Sequence, residues 1–308
     1  AGGGVLVLLV LVDLWGVDRR YFNAELLVDA QNSEEQVQTY DFDRFVLDRV
    51  AEAGGPGHFR VLSLEGRHPM VNARPSFHYE SLGGYHGAKL RRYQDYLEHL
   101  LLDPRTGTPN PNALDLLGVR YVISGRPVPG MTAVYTGDQT GYTVYEKTDV
   151  LPRAYFVEGV EVVEGHEAVW ERLLSPEFDP GRTAMVEAPI EWATAPIDSN
   201  ATAAVTLRKF SPHEIEWAVE TDAPRLLVVG EVYYPAGWTA AVDGAETPIH
   251  PVNYLVRGVE VPAGAHTVTM RFEPASVRTG RLISAIATFL AYGGVLALLG
   301  LGYFRRSP

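Results

Sequence analysis

The apolar positions of this chain fall into three regimes. Leu282 to Phe304 (LISAIATFLAYGGVLALLGLGYF) runs without a charge and is closed by Arg305 and Arg306. At ~1.5 Å rise per residue, a helix of that length covers the ~30 Å hydrocarbon core of a bilayer, and the segment is expected to cross a membrane. Val5 to Val12 (VLVLLVLV) is a shorter run that meets Asp13, Trp15 and the Asp18-Arg19-Arg20 group, like a helix leaving the membrane through an aromatic interface. Too short to span alone, it fits the end of a transmembrane helix in a longer protein cut at Ala1. A cleaved signal peptide is the rival, and the lack of a basic n-region and of a small-x-small cleavage site counts against it.

Between these ends the pattern first alternates helix and strand. Asp41 to Ala53 places Phe42, Phe45, Val46, Arg49 and Val50 at helical spacing before Gly54-Gly55-Pro56, which predicts an amphipathic helix. A strand is expected at His58–Leu64, an irregular block at Arg67–Gly84, and a helix from His86 to Leu102 with Leu90, Tyr93, Leu97, Leu100 and Leu101 on one face. Lys89, Arg91 and Arg92 sit in the first half of that helix, where cations oppose the macrodipole, so an acidic group should face them. A short helix over Asn112–Leu117, strands at Val119–Ser124, Ala133–Tyr135, Tyr142–Glu146 and Ala154–Val157, and a helix at Glu167–Leu174 complete an α/β unit.

From about Arg182 the period becomes two. Strands are predicted at Ala203–Leu207, Glu214–Glu220, Arg225–Glu231, Thr239–Val242, Leu255–Val261 and Thr267–Glu273. Asp243-Gly244 is a type I′ hairpin signal, and Pro262-Ala263-Gly264-Ala265 turns the chain between two further strands. Regular turns between short strands indicate a β-sandwich. Tyr233, Tyr234, Pro235 and Trp238 enter its middle hairpin either as buried packing or as a carbohydrate-stacking platform. The expected fold is α+β: an extracytoplasmic α/β unit followed by an antiparallel β-sandwich, flanked by two transmembrane helices. Its divisions are 1–17 (end of a membrane helix), 18–180 (mixed α/β), 181–279 (sandwich), 280–304 (membrane helix) and 305–308 (cytoplasmic tail).

Composition narrows the functions. The 308 residues carry a net charge of −12 and no cysteine, which excludes thiolate catalysis and cysteine-ligated zinc, and argues against a nucleic-acid partner. Arg278 and Arg281 before the last span offset Arg305 and Arg306 after it, so the flanking charges leave the orientation open. The acidic body and basic tail favour an external body.

Three passages carry a family resemblance. Asp13-Leu14-Trp15 with Arg19-Arg20-Tyr21-Phe22-Asn23 comes first. Gly83-Gly84-Tyr85-His86-Gly87-Ala88-Lys89-Leu90 through Tyr93, with Leu116-Leu117-Gly118-Val119-Arg120-Tyr121-Val122-Ile123-Ser124, is the second. The third runs through Tyr233-Tyr234-Pro235, Gly237-Trp238, Val242-Asp243-Gly244, Asn253-Tyr254-Leu255, Arg257-Gly258-Val259, Val261-Pro262-Ala263-Gly264 and His266-Thr267-Val268. In this order they resemble the C-terminal part of the YfhO family of bacterial membrane proteins, which look like GT-C glycosyltransferases. Ala236 departs from the family's usual Tyr-Pro-Gly-Trp and suggests a bulge or longer turn. The resemblance implies a multi-pass cell-membrane enzyme that transfers a sugar from a polyprenyl-phosphate carrier to an envelope glycan acceptor. Its catalytic carboxylate is then expected in an early external loop before Ala1, so no catalytic residue carries over.

The local candidates for substrate binding are Arg74, Tyr85, His86, Lys89, Arg91 and Arg92, with His78 and Tyr79 nearby. Guanidinium forks and the first amides of a helix starting at His86 would suit a carrier phosphate. The structural alternative pairs the cations with acids of the body and packs Tyr85 and Tyr93 inward. His68, His78 and His86 lack the i, i+4 spacing of a metal pair. No phosphate loop, G-x-S-x-G elbow or nucleotide fingerprint occurs, so no cofactor is assigned. Asn200-Ala201-Thr202 fits a glycosylation acceptor, and Glu34/Glu35 and Asp41/Asp43 read as solvated acids. A membrane-anchored module that binds glycans or proteins without catalysis is the second reading of the whole chain.

Overall fold

The computed structural model describes residues 2–23, 27, 37–67, 69–103, 106–190 and 202–304. His68, Glu34/Glu35, Asn200-Ala201 and Arg305-Arg306 lie outside that set. Two helices stand apart from the folded body. α1 (Gly2–Tyr21) carries the Val5–Val12 run, and its side chains from Gly3 onward are exposed. Among the described residues one helix is long and apolar enough to cross a membrane: Ala275–Leu299, none of it buried in the fold. α1 does not meet that measure, since Asp13 and the Asp18-Arg19-Arg20 group interrupt its apolar stretch.

The body begins with α2 (Asp41–Glu52), whose Asp43 carboxylate accepts the Tyr40 amide at 2.8 Å and so caps the first turn. β1 (Arg60–Ser63) is next, then two 3₁₀ turns (Pro69–Val71 and Arg74–Phe77). After them come α3 (Arg91–Asp95), which continues as a π-turn over Tyr96–Leu100, and α4 (Pro111–Leu116). Asn110 caps α4 by accepting the Ala113 amide at 3.1 Å, and Pro111 occupies a first-turn position where its missing N–H costs nothing. β2 (Val119–Ser124), β3 (Thr132–Thr136) and β4 (Thr143–Glu146) join β1 in a sheet of order β1-β2-β4-β3, with β1 and β2 parallel. Alternation splits this sheet's side chains. Val61, Tyr121, Ile123 and Val144 pack with Phe42 and Val46 of α2, while Leu62 and Val122 face the opposite cluster.

β5 (Ala154–Phe156), β6 (Gly159–Val162), α5 (His166–Leu174) and β7 (Thr183–Val186) continue the chain. They lead into β8 (Ala203–Ser211), β9 (Glu214–Thr221), β10 (Arg225–Val232), β11 (Trp238–Val242) and β12 (Ala245–Thr247). β13 (His250–Val252), β14 (Val256–Val261), β15 (Gly264–Phe272) and α6 (Ala275–Phe304) complete the described chain. A six-stranded sheet of order β5-β10-β14-β13-β7-β6 and a five-stranded sheet of order β12-β11-β15-β9-β8 result. In β10, Leu227 and Val229 meet Trp217, Val268 and Met270 of the five-stranded sheet. Leu226 and Val228 turn the other way, onto Tyr96, Leu117 and Leu173. At about 1.5–3 kcal/mol per buried aliphatic side chain, these two faces make the six-stranded sheet the centre of the body's stability. It draws β5, β6 and β7 from one side of residue 187 and β10, β13 and β14 from the other.

The α+β class and most elements agree with the periodicity. Asp243 and Gly244 both have positive φ (51° and 83°) in the two-residue loop between β11 and β12, as a type I′ turn requires. One helix is shorter than expected. Leu90 is extended (ψ 138°) and Gly87-Ala88 forms a turn, so helix begins at Arg91 and not at His86.

Candidate functional site

The stretch Arg74 to Arg92 does not form one surface. Tyr85, His86 and Lys89 line a cleft of about 430 Å³ whose remaining walls include Leu82, Gly83, Leu90, Tyr93 and Val232. Tyr85 is 72% exposed, so the structural alternative in which it packs inward does not hold for this residue. Tyr93 does turn in: its hydroxyl donates to the Leu82 carbonyl, its ring stacks on Tyr96 at 5.9 Å, and burial pushes its pKa up to about 12. Gly83 belongs here for steric reasons, since a Cβ at this position would sit 2.9 Å from the Pro69 carbonyl oxygen. The His86 Nδ1 accepts the Ala88 amide at 3.1 Å, a local turn bond in place of the helical amides expected there.

Arg74, Arg91 and Arg92 stand elsewhere, and each faces a carboxylate. Arg74 is buried between Asp43 (2.5 Å) and Glu65 (2.8 Å), with its guanidinium 4.6 Å from the Tyr40 ring centroid. Tyr79 donates to the same Asp43, and Asn72 to Glu65. The fork of Arg74 is therefore used in folding the 3₁₀ segment onto α2. Arg92 reaches Glu187 at 2.5 Å and the Tyr254 carbonyl at 2.6 Å, and lies 5.5 Å from the Tyr233 ring centroid. Arg91 is exposed and pairs with Asp95 one turn on, at 2.8 Å. The acids that the sequence required opposite these cations are thus Glu187 and Asp95.

Below the cleft lies a charge cluster that no local pattern announced. The ladder of β10 is irregular between Val229 and Val232, and the irregularity aims Glu231 inward. Glu231 accepts Arg60 at 2.9 Å and also pairs with Arg153, which reaches Glu80 at 3.1 Å. Arg60 further donates to the Leu117 and Gly230 carbonyls. Burial alone would raise the Glu231 pKa, but Arg60, Arg153 and Arg257 outweigh it and hold it at about 2. Burial lowers Arg257 to about 10, against the pull of Glu231. Glu80 and Glu231 directly precede Ser81 and Val232 in the cleft wall, so the cluster fixes two of the segments that shape it.

A second unforeseen group surrounds Asn253-Tyr254, both non-glycine residues at positive φ (49° and 67°). The Tyr254 hydroxyl donates to Asp95, and its ring meets His166 at 4.8 Å and Trp170 at 5.3 Å, edge to face. Asp95, Glu98 and His99 bring potential ligand atoms within 4.8 Å of one another. Asp95 serves Tyr254 and Arg91, Glu98 accepts from Gln94, and the His99 ring stacks on Trp170 at 4.5 Å, so both carboxylates already have partners. Of the platform residues, Trp238 lies beneath the Arg257 guanidinium at 4.0 Å and against Phe272 at 5.3 Å, while Tyr234 stays 37% exposed. Ala236 sits in a turn spanning 235–237, closed by the Gly237 amide on the Pro235 carbonyl.

The cleft lining supplies an aromatic face, an ammonium and an imidazole above an apolar floor, groups that suit a sugar ring or an anion. Residues 186–284 match the family model described as bacterial membrane protein YfhO. No curated protein and no solved structure matches the chain.

Proposed function

We propose, from the match of residues 186–284 to the model of the YfhO bacterial membrane proteins, that this chain is the soluble region of a polytopic, GT-C-like membrane glycosyltransferase. Its role is to assist transfer of a sugar from a polyprenyl-phosphate carrier to a cell-envelope acceptor. On this reading the body lies on the extracytoplasmic side, and the five-stranded sheet over the six-stranded one forms a β-sandwich beside the α/β unit. The carrying observation is the cleft, where exposed Tyr85 stands with His86 and Lys89 over Leu82, Leu90 and Val232. Tyr85 offers a stacking face to a pyranose and Lys89 a counter-charge to phosphate, while Arg92 and Arg74 hold the surrounding segments.

The test is Tyr85→Ala combined with Lys89→Ala in the full-length protein, with sugar on envelope polymers measured by mass spectrometry. Transfer should fall by about tenfold or more, the equivalent of ~1.4 kcal/mol, with thermal unfolding unchanged because both side chains lie outside the core. Undiminished transfer overturns the reading. The second reading, a non-catalytic glycan- or protein-binding module, uses the same cleft, whose Tyr85, His86 and Lys89 suit a sugar or an anion without any chemistry. In that case the same variant loses retention on envelope glycan while transfer continues unchanged.

A further inference from the structure

A separate cavity of about 550 Å³ opens where the five-stranded sheet hands the chain to α6. His213, Phe272, Glu273, Pro274, Arg278 and Arg281 line it. Arg278 and Arg281 are one helical turn apart and so share a face. Among the described residues neither forms an ion pair, in contrast to Arg60, Arg74, Arg92 and Arg153. Among the described lining residues Glu273 is the one acid, set against two guanidiniums and an imidazole.

The continuation of α6 fixes the height of this cavity relative to the bilayer. Both arginines lie in the first turns of the candidate span Ala275–Leu299, and its uncharged stretch opens only at Leu282, so a bilayer centred on that stretch would set the two guanidiniums at its headgroup edge. The cavity is also braced. The Phe272 amide donates to the His213 carbonyl at 2.9 Å, and the Glu273 amide to the Gly237 carbonyl at 2.8 Å. Gly237 (φ +121°) makes the second contact possible, because a Cβ there would lie 2.8 Å from Pro274 and 2.9 Å from Phe272. The short link between β15 and α6 is thereby fastened on both sides, which holds the cavity mouth in place against α6.

We infer that this cavity binds the phosphate headgroup of an anionic phospholipid in the leaflet adjoining the body. The guanidinium forks match phosphate oxygens, Phe272 and Pro274 offer an apolar wall to the glycerol backbone, and the span delivers the site to the lipid. Each basic residue at a membrane surface gains about fivefold in affinity for anionic lipid, so the pair is worth roughly 25-fold.

The experiment places the full chain in phosphatidylcholine nanodiscs, titrates phosphatidylglycerol, and counts retained lipid by native mass spectrometry. Wild-type protein should retain phosphatidylglycerol in preference to phosphatidylcholine. Arg278→Gln with Arg281→Gln should weaken that retention by about tenfold or more, while Arg278→Lys with Arg281→Lys, which keeps charge but loses the forks, should fall between. Equal retention of the two lipids by wild-type protein overturns the inference without relying on any variant. Equal retention by wild type and the double glutamine variant overturns it too, and displacement of lipid by inorganic phosphate assigns the cavity to a free anion instead.

Discussion

Glu231 shows how one side chain can govern a body of this size. It answers Arg60 from β1 and Arg153 just before β5, so removing its charge leaves two largely buried guanidiniums without their shared acid. Glu231→Gln should cost about 3 kcal/mol, read as a lowered midpoint in denaturant unfolding of the detergent-solubilised chain. The carboxyl titrates at about 2 in the fold against 4.5 for the free group. Because the folded value is the lower one, the stabilisation is complete above pH 4.5 and lost as pH falls toward 2, at most about 3 kcal/mol in all. A wild-type acid-unfolding limb in that window, flattened in Glu231→Gln, is the expected result. Such partnerships escape a reading of the sequence because Arg60 and Glu231 stand far apart in the chain. The sequence did indicate that Arg91 and Arg92 would need acids, since cations are unwelcome at a helix start. It could not indicate that Glu187 would be one of them, or that Arg74 would be enclosed by Asp43 and Glu65.

Elements were legible where a period had room to repeat. β9 and β15 run eight and nine residues with apolar alternation, β10 is a continuous apolar run of the kind a strand buried on both faces shows, and the type I′ turn at Asp243-Gly244 is dictated by steric rules alone. β6, β7, β12 and β13 span only three or four residues, too few for a period, and β13 contains Pro251, which weakens any strand signal. The join between β7 and β13 is correspondingly slight: one registered pair, Val252 with Val186. Asn253 reinforces it by exchanging two bonds with Met185, its backbone amide to the Met185 carbonyl and its side-chain oxygen from the Met185 amide, each at 2.8 Å. Asn253→Ala deletes the second bond within the core and makes the left-handed backbone harder to hold. A loss of about 2 kcal/mol is expected, with faster hydrogen exchange at the Met185 amide than in wild-type protein. Stability loss without a change at that amide would mean that strain, and not the clamp, is what Asn253 contributes.

For the whole molecule, α6 decides where the body works. Phe289 is presented outward within its apolar stretch, and Phe289→Arg should cost about 2.5–3.5 kcal/mol of insertion, moving the chain from the carbonate-resistant membrane pellet to the extractable fraction. The β-rich region that matches a family carries the recognisable residues, while the sheet that holds the body together mixes strands from inside and outside it. That mixing has a consequence in time. Phe156 ends the strand β5, and its neighbour β10 begins at Arg225, so roughly 70 residues must be synthesised before the two can meet. At roughly 5–20 residues per second, β5 waits for seconds with an open edge on the ribosome-bound chain. A factor that shields nascent β-edges during synthesis should therefore limit the yield of this protein more than it limits neighbours whose strands pair locally.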